Sequence, residues 1–537
     1  MNHELISFSF NLWTEPWIDL ETPEGIIERM GIGQTLAQAH NFLGIYSHSP
    51  LEVVGIHRLL TAILQAALNP HSMEDLHFLS QSGCFPSEVL HNFQNCYQSR
   101  FDLFSASQPF LQSGDLALHP QKGDKGKTAA YLFPEIPSGT NVIHFQHNFE
   151  TDQVFCPVCC ARGLAVIPAF ATTGGAGIKP SINGVPPIYI LPGGKNLFES
   201  LLTSLMLPDF QPTVRDTKQD LAWWKHPPLV QKSSEIPSVG YLHSLTFPAR
   251  RVRLHPQGGQ ILCSRCGQSS QTGIKSMVFE MGESRPKQSA FWQDPFVAYL
   301  KRPDGPPLPV RPSPGKALWR EYGSLFLKMP IETNGRQKRS PIRPLVVEQE
   351  TLLQDFGFGS SDGLLPFRCI GLRTDMKAKL FEWIDTGFDV PFTLLQNSAA
   401  GLDVEDAIEF SAACIRIIAN SFNKYVNEGK KKGTRYAHAK TTMVDTCWSD
   451  LALPFKEFVL NLSEVYNLGA KCDAQLRKQV LIDWYHVVIS CTLSNLDVVL
   501  NRIGSNGKSL RIRYETMNEA TKFLYGQQKK KEEGLNE

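Results

Sequence analysis

The chain has 537 residues and a formal net charge of +1 at pH 7, with 42% hydrophobic and 20% charged residues. This composition fits an ordinary globular protein of more than one domain, large enough to build a sizeable core without a metal to make up for small size. The near-zero charge excludes a globally basic nucleic-acid coat, so contact with phosphates must come from local basic patches.

Met1 to Leu12 carries Glu4 and lacks a basic stretch followed by an apolar block, so no secretory leader is expected. Leu51 to Leu68 has apolar residues at helical spacing and reads as a helix, and His57 and Arg58 interrupt it as a membrane span. The expectation is a cytoplasmic protein with no membrane contact. Its twelve cysteines are then reduced thiols or metal ligands rather than disulfides. Up to about residue 380, short apolar runs alternate with turns such as Gly174 to Pro187 and Pro303 to Pro314, which predicts short strands, long loops and few helices.

Two Cys-x-x-Cys pairs stand in this region, Cys156-Pro-Val-Cys159 and Cys263-Ser-Arg-Cys266. Two intervening residues let both thiolates of a pair meet one tetrahedral ion at ~2.3 Å. Cys263 to Gln268 resembles a zinc knuckle, with Gly267 letting the backbone fold under the metal. Four cysteines leave no open position, so the expected zinc is structural, a staple between distant stretches. The alternative is two unrelated pairs, one of them redox-active. Cys160 is a spare thiol.

The glycine-rich stretch Thr172 to Gly177 leads into Lys179 and reads either as a loop whose N–H groups approach phosphates or as a surface turn. Arg250, Arg251 and Arg253 form one basic cluster; Arg336, Lys338, Arg339 and Arg343 form another; Lys430, Lys431, Lys432 and Arg435 a third. Each is either a phosphate contact or a solvated loop. Ile370 to Trp383 reads as a hairpin with Arg373 to Lys377 at its tip.

Beyond about Gly387 four amphipathic helical segments follow, the pattern of a four-helix bundle. The first runs from Val404 with Asp403 as N-cap and an apolar face of Val404, Ile408, Ile415, Ile418 and Phe422. The second, Ala437 to Leu462, contains Pro454, which should kink or divide it. The third has Leu476, Val480, Trp484, Val487 and Cys491 as its stripe, and the fourth Leu510, Tyr514, Met517 and Leu524. The fold class read from these features is α+β: an irregular mixed α/β domain with a zinc site over residues 1–385, then an all-α four-helix bundle over 386–537.

Enzyme signatures are weak. Gly126-Lys127-Thr128 and Gly507-Lys508-Ser509 lack the upstream glycine of a phosphate loop, since Gln121 and Arg502 stand there. No His-x-Glu pair of a zinc deaminase occurs. Gly174-Gly175-Ala176-Gly177 has Pro180 where a dinucleotide fingerprint needs glycine. Gly359-Ser360-Ser361-Asp362-Gly363 matches the nucleophile-elbow string without the strand and helix that must flank it. The expectation is a protein that is not an enzyme.

Read in order, the markers Phe10-Asn11-Leu12, Glu15-Pro16-Trp17, Gln108-Pro109-Phe110-Leu111-Gln112, Thr140-Asn141, the two cysteine pairs, the glycine loop and the terminal bundle span nearly the whole chain. This succession resembles the large subunit of the type I-E CRISPR surveillance complex Cascade, the CasA family. The resemblance implies a subunit beside the 5′ end of the guide RNA that reads the protospacer-adjacent motif on double-stranded DNA and starts strand separation. It implies as partners the guide RNA, target DNA, the backbone, small and 5′-end subunits, and a helicase-nuclease or nuclease-fused subunit that the protein helps recruit.

By the same resemblance, Phe145, Gln146, His147 and Asn148 match the family loop that touches the guide RNA end and the motif. Thr173, Gly174, Gly175, Ala176 and Gly177, with Lys179, match the glycine loop at the minor groove, with Thr173 and Ala176 departing from an all-glycine pattern. Arg373, Thr374, Asp375, Met376 and Lys377 match the wedge that splits the first base pair, although relatives carry amides where Asp375 and Met376 stand. Lys275 matches the motif-reading lysine. Two other readings stay open, a zinc-dependent nucleic-acid enzyme and a purely structural RNA-binding scaffold.

Overall fold

The computed structural model describes residues 8–118, 126–136, 153–172, 177–212, 220–225, 233, 235–286, 290–313, 317–328, 341–356, 363–374, 380–426, 436–467 and 474–535. It divides into two units: Met1–Pro312 with Ile342–Ser360 and Leu365–Asp389, and Ser313–Pro341 with Ser361–Leu364 and Val390–Glu537. The first is mixed α/β and the second helical.

The expected helix of the first unit is Pro50–Leu68. Pro50 opens it, where a missing N–H costs nothing, and Asn69 ends it in the left-handed region. By length and composition it could cross a membrane, yet 83% of its most apolar window is buried inside the protein. It packs against the helix Pro157–Phe170. Gly55 permits the approach, since a Cβ there would sit 2.5 Å from the Ala165 carbonyl oxygen.

His57 and Arg58 of this helix find their partners inside the protein. His57 meets the Ser204 hydroxyl at 2.8 Å, and burial lowers its pKa to about 3, so the ring is neutral. Arg58 pairs with the fully buried Asp294 at 3.1 Å and lies over Tyr189 and Phe296. Burial opposes its charge, but the attraction of Asp294 prevails and its pKa stays raised.

Two sheets matter for the site. In one, Arg250–Leu262 and Ser269–Met281 form a long antiparallel ribbon, edged by Lys127–Thr128. In the other, Leu364–Thr374 lies between Ile188–Pro192 and Leu380–Pro391. Cross-strand pairs Arg368–Asp385 and Arg373–Glu382 run in opposite order along the last two strands, so these form the expected hairpin.

The helix Leu345–Asp355 carries a buried carboxyl, Glu350, with one oxygen that meets no donor. Burial raises its pKa from 4.5 to about 8. The folded protein therefore keeps a proton that the unfolded chain has released, so stability falls as pH rises from about 4.5 to about 8 and levels off above. Glu350→Gln should flatten that slope and raise stability at pH 8 by roughly a few kcal/mol. Denaturant unfolding at pH 5 and pH 8 checks this; an unchanged slope refutes it.

In the second unit the long helices are Ser398–Tyr425, Ala437–Asp450, Ala452–Asn467, Ala474–Asn501 and Gly507–Gly534. The expected second segment is divided at Leu451, which places Pro454 in the first turn of the next helix, where its missing donor breaks no bond. Asp403 is not an N-cap. Asn397 caps the first helix, accepting from the Ala399 N–H at 2.9 Å, and Asp403 is buried one turn and more inside. There it accepts from Arg477 Nε at 2.6 Å and from the Tyr466 hydroxyl at 2.7 Å, tying three helices together. The predicted face of the first helix is buried throughout. The faces of the last two are shifted: Leu476, Leu510 and Tyr514 are 44%, 54% and 72% exposed. Trp484 and Leu524 of the expected stripes are buried, and the buried sets run on through Leu481, Val488 and Leu496, and through Thr516 and Ala520. Leu318–Glu321 also belongs here: the Trp319 ring lies 4.6 Å from that of Phe455.

Candidate metal centre and nucleic-acid interface

Cys156 caps the helix Pro157–Phe170, its sulfur accepting from the Cys159 N–H, which puts both sulfurs on one face of the first turn. Opposite them, Cys263 and Cys266 occupy the turn that joins the ribbon strands. The turn closes through Gly267 N–H to the Cys263 carbonyl and Cys263 N–H to the Gln268 carbonyl, both 2.9 Å. Gly267 has φ +70°, the left-handed conformation expected of it.

The helix start and the turn are tied directly. Ser264 N–H donates to the Val154 carbonyl at 2.8 Å, and Cys156 N–H meets the Cys263 sulfur at 3.3 Å. Arg265, inside the motif, pairs with Glu52 at 2.5 Å and Glu135 at 2.6 Å and lies 4.7 Å over the Phe133 ring.

The four sulfurs lie within 4.8 Å of one another. Cys156 and Cys266 are 3.7 Å apart, Cys159 and Cys263 3.8 Å. Sulfurs placed ~2.3 Å from a central ion at tetrahedral angles have edges of about 3.8 Å, whereas a disulfide needs about 2.05 Å. The cluster therefore has the donors and the spacing of a closed structural metal site. Cys156, Cys159 and Cys263 are buried, and Cys266 lies at the solvent edge. Side-chain hydrogen bonding with Cys156 and Cys159 holds the Cys263 thiol well below the ordinary thiol range. Cys160 is buried outside the cluster.

The ribbon leads from this cluster to the other expected residues. Its register shifts between His255↔Ser276 and Pro256↔Ile274, leaving Lys275 unpaired as a bulge. Pro256 supplies the physical reason, since it has no N–H for a regular ladder. Lys275 is exposed. Its neighbour Ile274 exchanges two backbone hydrogen bonds, 2.9 and 3.0 Å, with Phe155, the residue before Cys156.

Of the glycine loop, Thr173, Gly174, Gly175 and Ala176 lie outside the described residues, but both ends are anchored. Ser181 N–H donates to the Ala171 carbonyl at 2.8 Å. Arg250 donates to the Thr172 carbonyl, and Lys179 N–H approaches the Met281 sulfur at 3.2 Å. Arg250 and Met281 are register partners at the open end of the ribbon. Lys179 Nζ pairs with Glu235 at 2.6 Å. Arg373 and Thr374 end the first hairpin strand, while Asp375, Met376 and Lys377 lie outside the described residues, as do Phe145, Gln146, His147 and Asn148.

The basic cluster Arg250, Arg251 and Arg253 is not a phosphate-facing patch. All three are buried; Arg251 pairs with Asp115 and Glu280, and Arg253 donates to the Ala106 carbonyl at 3.1 Å. Arg343 is likewise buried against Glu348, and the other cluster residues lie outside the described ones. Around Gly359 to Gly363 a helix, Leu345–Asp355, precedes and a strand, Leu364–Thr374, follows, the reverse of elbow order. The bulge at Lys275 and the Phe155–Ile274 bridge were not read from the sequence, although Pro256 inside a strand signals the first.

Fold and site together define a two-unit protein, a mixed α/β unit held by a four-cysteine cluster and a helical bundle. Residues 11–486 match the family model of CRISPR-associated protein Cse1. A CasA/Cse1 protein of Thermus thermophilus is 32% identical over 402 residues, covering 73% of this chain and 72% of that protein. The crystal structure of Thermobifida fusca Cse1 has the same fold, with a TM-score of 0.75 at 21% identity over 96% of this chain and 98% of that one. A chain from a CRISPR RNA-guided surveillance complex gives a TM-score of 0.70 at 17% identity over 97% and 100%. The chain belongs to the CRISPR-associated Cse1 family, also called CasA, the large subunit of type I-E Cascade.

Proposed function

We propose that this protein, as a non-catalytic cytoplasmic subunit of its complex, recognises the protospacer-adjacent motif in double-stranded DNA and promotes strand separation. The observation that carries the reading is the ribbon. One element bears half of the cysteine cluster at its tip, an exposed lysine at its bulge and the anchors of the glycine loop at its base. In this reading Lys275 and the glycine loop contact the minor groove, where the hydrogen-bond code is degenerate. The hairpin tip, Arg373 to Lys377, enters beside the motif, and Met376 unstacks a base step there. Phe145 to Asn148 meet the guide RNA end, and guide pairing then checks the sequence. The four cysteines hold one structural zinc, which keeps Phe155, the ribbon and the glycine loop in fixed relation without touching DNA. The subunit also helps position the helicase-nuclease or fused nuclease that degrades the target.

Lys275→Ala tests the motif contact. Because the side chain is exposed, thermal unfolding should not change, while motif-dependent duplex binding by the reconstituted complex should weaken about 10- to 100-fold, the worth of one base-edge contact. Binding that is insensitive to Lys275, the glycine loop and the hairpin tip alike would refute recognition by this subunit. Metal-dependent cleavage by the purified chain would favour an enzyme instead.

A further inference from the structure

A cavity of about 630 Å³ is bounded by the Gly177–Gly184 arm, the segment Ser284–Pro286 that follows the second ribbon strand, and the segment Pro306–Arg311. Its size is that of a small-molecule or single-nucleotide pocket. The floor is aromatic: Trp292 and Tyr299 are buried, and Phe291, 41% exposed, stands edge-on to Tyr299 at 5.1 Å.

Two guanidiniums line it without an anion among the described residues. Arg285 lies 5.6 Å over the Trp292 ring and donates to the Ala290 carbonyl at 2.6 Å, leaving its buried Nε without an acceptor. Arg311 forms no hydrogen bond or ion pair with any described residue, and its Nε is also buried without an acceptor. Burial alone depresses both groups. The rim lysine, Lys179, already has Glu235. An unsatisfied buried donor on a cation is costly, so the cavity favours a ligand that brings negative charge.

The position narrows the ligand further. Arg311 precedes Pro312, whose ring packs so closely on the hairpin strand that a Cβ at Gly371 would lie 2.7 Å from it. The cavity thus lies between the arm of the glycine loop and the strand that runs to the hairpin tip. Flat aromatic faces beside guanidiniums suit a base and its phosphate, the pairing that binds single strands.

We infer that this cavity holds one unpaired nucleotide of the DNA strand freed where the duplex opens, its base on Phe291 and Trp292 and its phosphate on Arg285 and Arg311. The inference rests on the strand-opening function proposed above. It is tested by irradiating the full chain with a short oligothymidylate carrying 5-iodouracil and mapping the crosslinked peptides. Crosslinks should fall at Phe291 or Trp292 and drop about 10-fold in Arg311→Gln and in Phe291→Ala, with unchanged thermal unfolding. Crosslinks only elsewhere, or variants that crosslink like the parent, overturn it, as does stronger crosslinking there by an oligouridylate. Motif-dependent duplex binding by the assembled parent complex separates the two readings. If that binding is present and the oligonucleotide never reaches Phe291, the cavity inference alone fails. If it is absent, the recognition function fails whatever the crosslinks show.

Discussion

Cys263→Ser is expected to leave the chain unable to hold the proposed zinc and to weaken motif-dependent DNA binding in the same variant. The sulfur it removes is the one that the Cys156 N–H and the Cys159 thiol both approach, so its loss opens the joint between the helix Pro157–Phe170 and the ribbon turn. Structural zinc contributes about 10–16 kcal/mol of apparent binding energy in small finger peptides. Here the surrounding core is large, so the stability loss should be smaller, on the order of several kcal/mol, and confined to the first unit. Metal analysis of the purified chain with thermal unfolding checks the first half, and a chelator should reproduce it in the parent. Cys96→Ser, at an exposed thiol outside the cluster, should change neither. A metal-free Cys263→Ser protein that still binds motif DNA at parental strength would sink the proposed link between cluster and loops.

Asp294→Ala should be among the most destabilising single substitutions in the first unit. It leaves Arg58 charged in a site where the side chain is 1% exposed, beside the Ser244 carbonyl at 3.3 Å and the Tyr189 and Phe296 rings. Removing one partner of a buried pair costs about 3–5 kcal/mol. The same substitution also withdraws the acceptor of Asn183 Nδ2 at 3.0 Å and of the Phe296 N–H at 3.1 Å. Arg58→Met combined with Asp294→Leu should recover much of the loss, because the charge that made the single change costly is gone. Equilibrium unfolding of the two single variants and the double variant measures this, and a single-variant loss below about 1 kcal/mol would show that the pair is solvated.

Much of this protein was legible locally. The helix Pro50–Leu68, the first bundle helix and its buried face, the break near Pro454 and the knuckle glycine at 267 follow from residue type and spacing within one element. The faces of the last two helices were not legible. Leu476 lies on a stripe as regular as the one through Leu481, and the exposed Leu510 and Tyr514 share their stripe with the buried Leu524, so packing partners distant in sequence select which residues are covered. Asp403 shows the same limit: its sequence context suits an N-cap, but Tyr466 and Arg477 make it a buried acceptor. Arg250, Arg251 and Arg253 look like a basic patch in one dimension and become strand residues inside a core.

The sequence by itself determined the cysteine cluster's membership, because two pairs at Cys-x-x-Cys spacing can meet one ion and that constraint is local chemistry. It also determined the family, because ordered markers along the whole chain carry that information without coordinates. Only the tertiary structure decided what the cluster joins. That Phe155 pairs with Ile274 and that Arg250 reaches Thr172 depend on contacts across roughly 80 to 120 residues of chain, and the register slip at Pro256 that leaves Lys275 in a bulge depends on how the two ribbon strands pair. Strand register and burial are settled by which surfaces meet, and no run of neighbouring residues encodes that meeting alone.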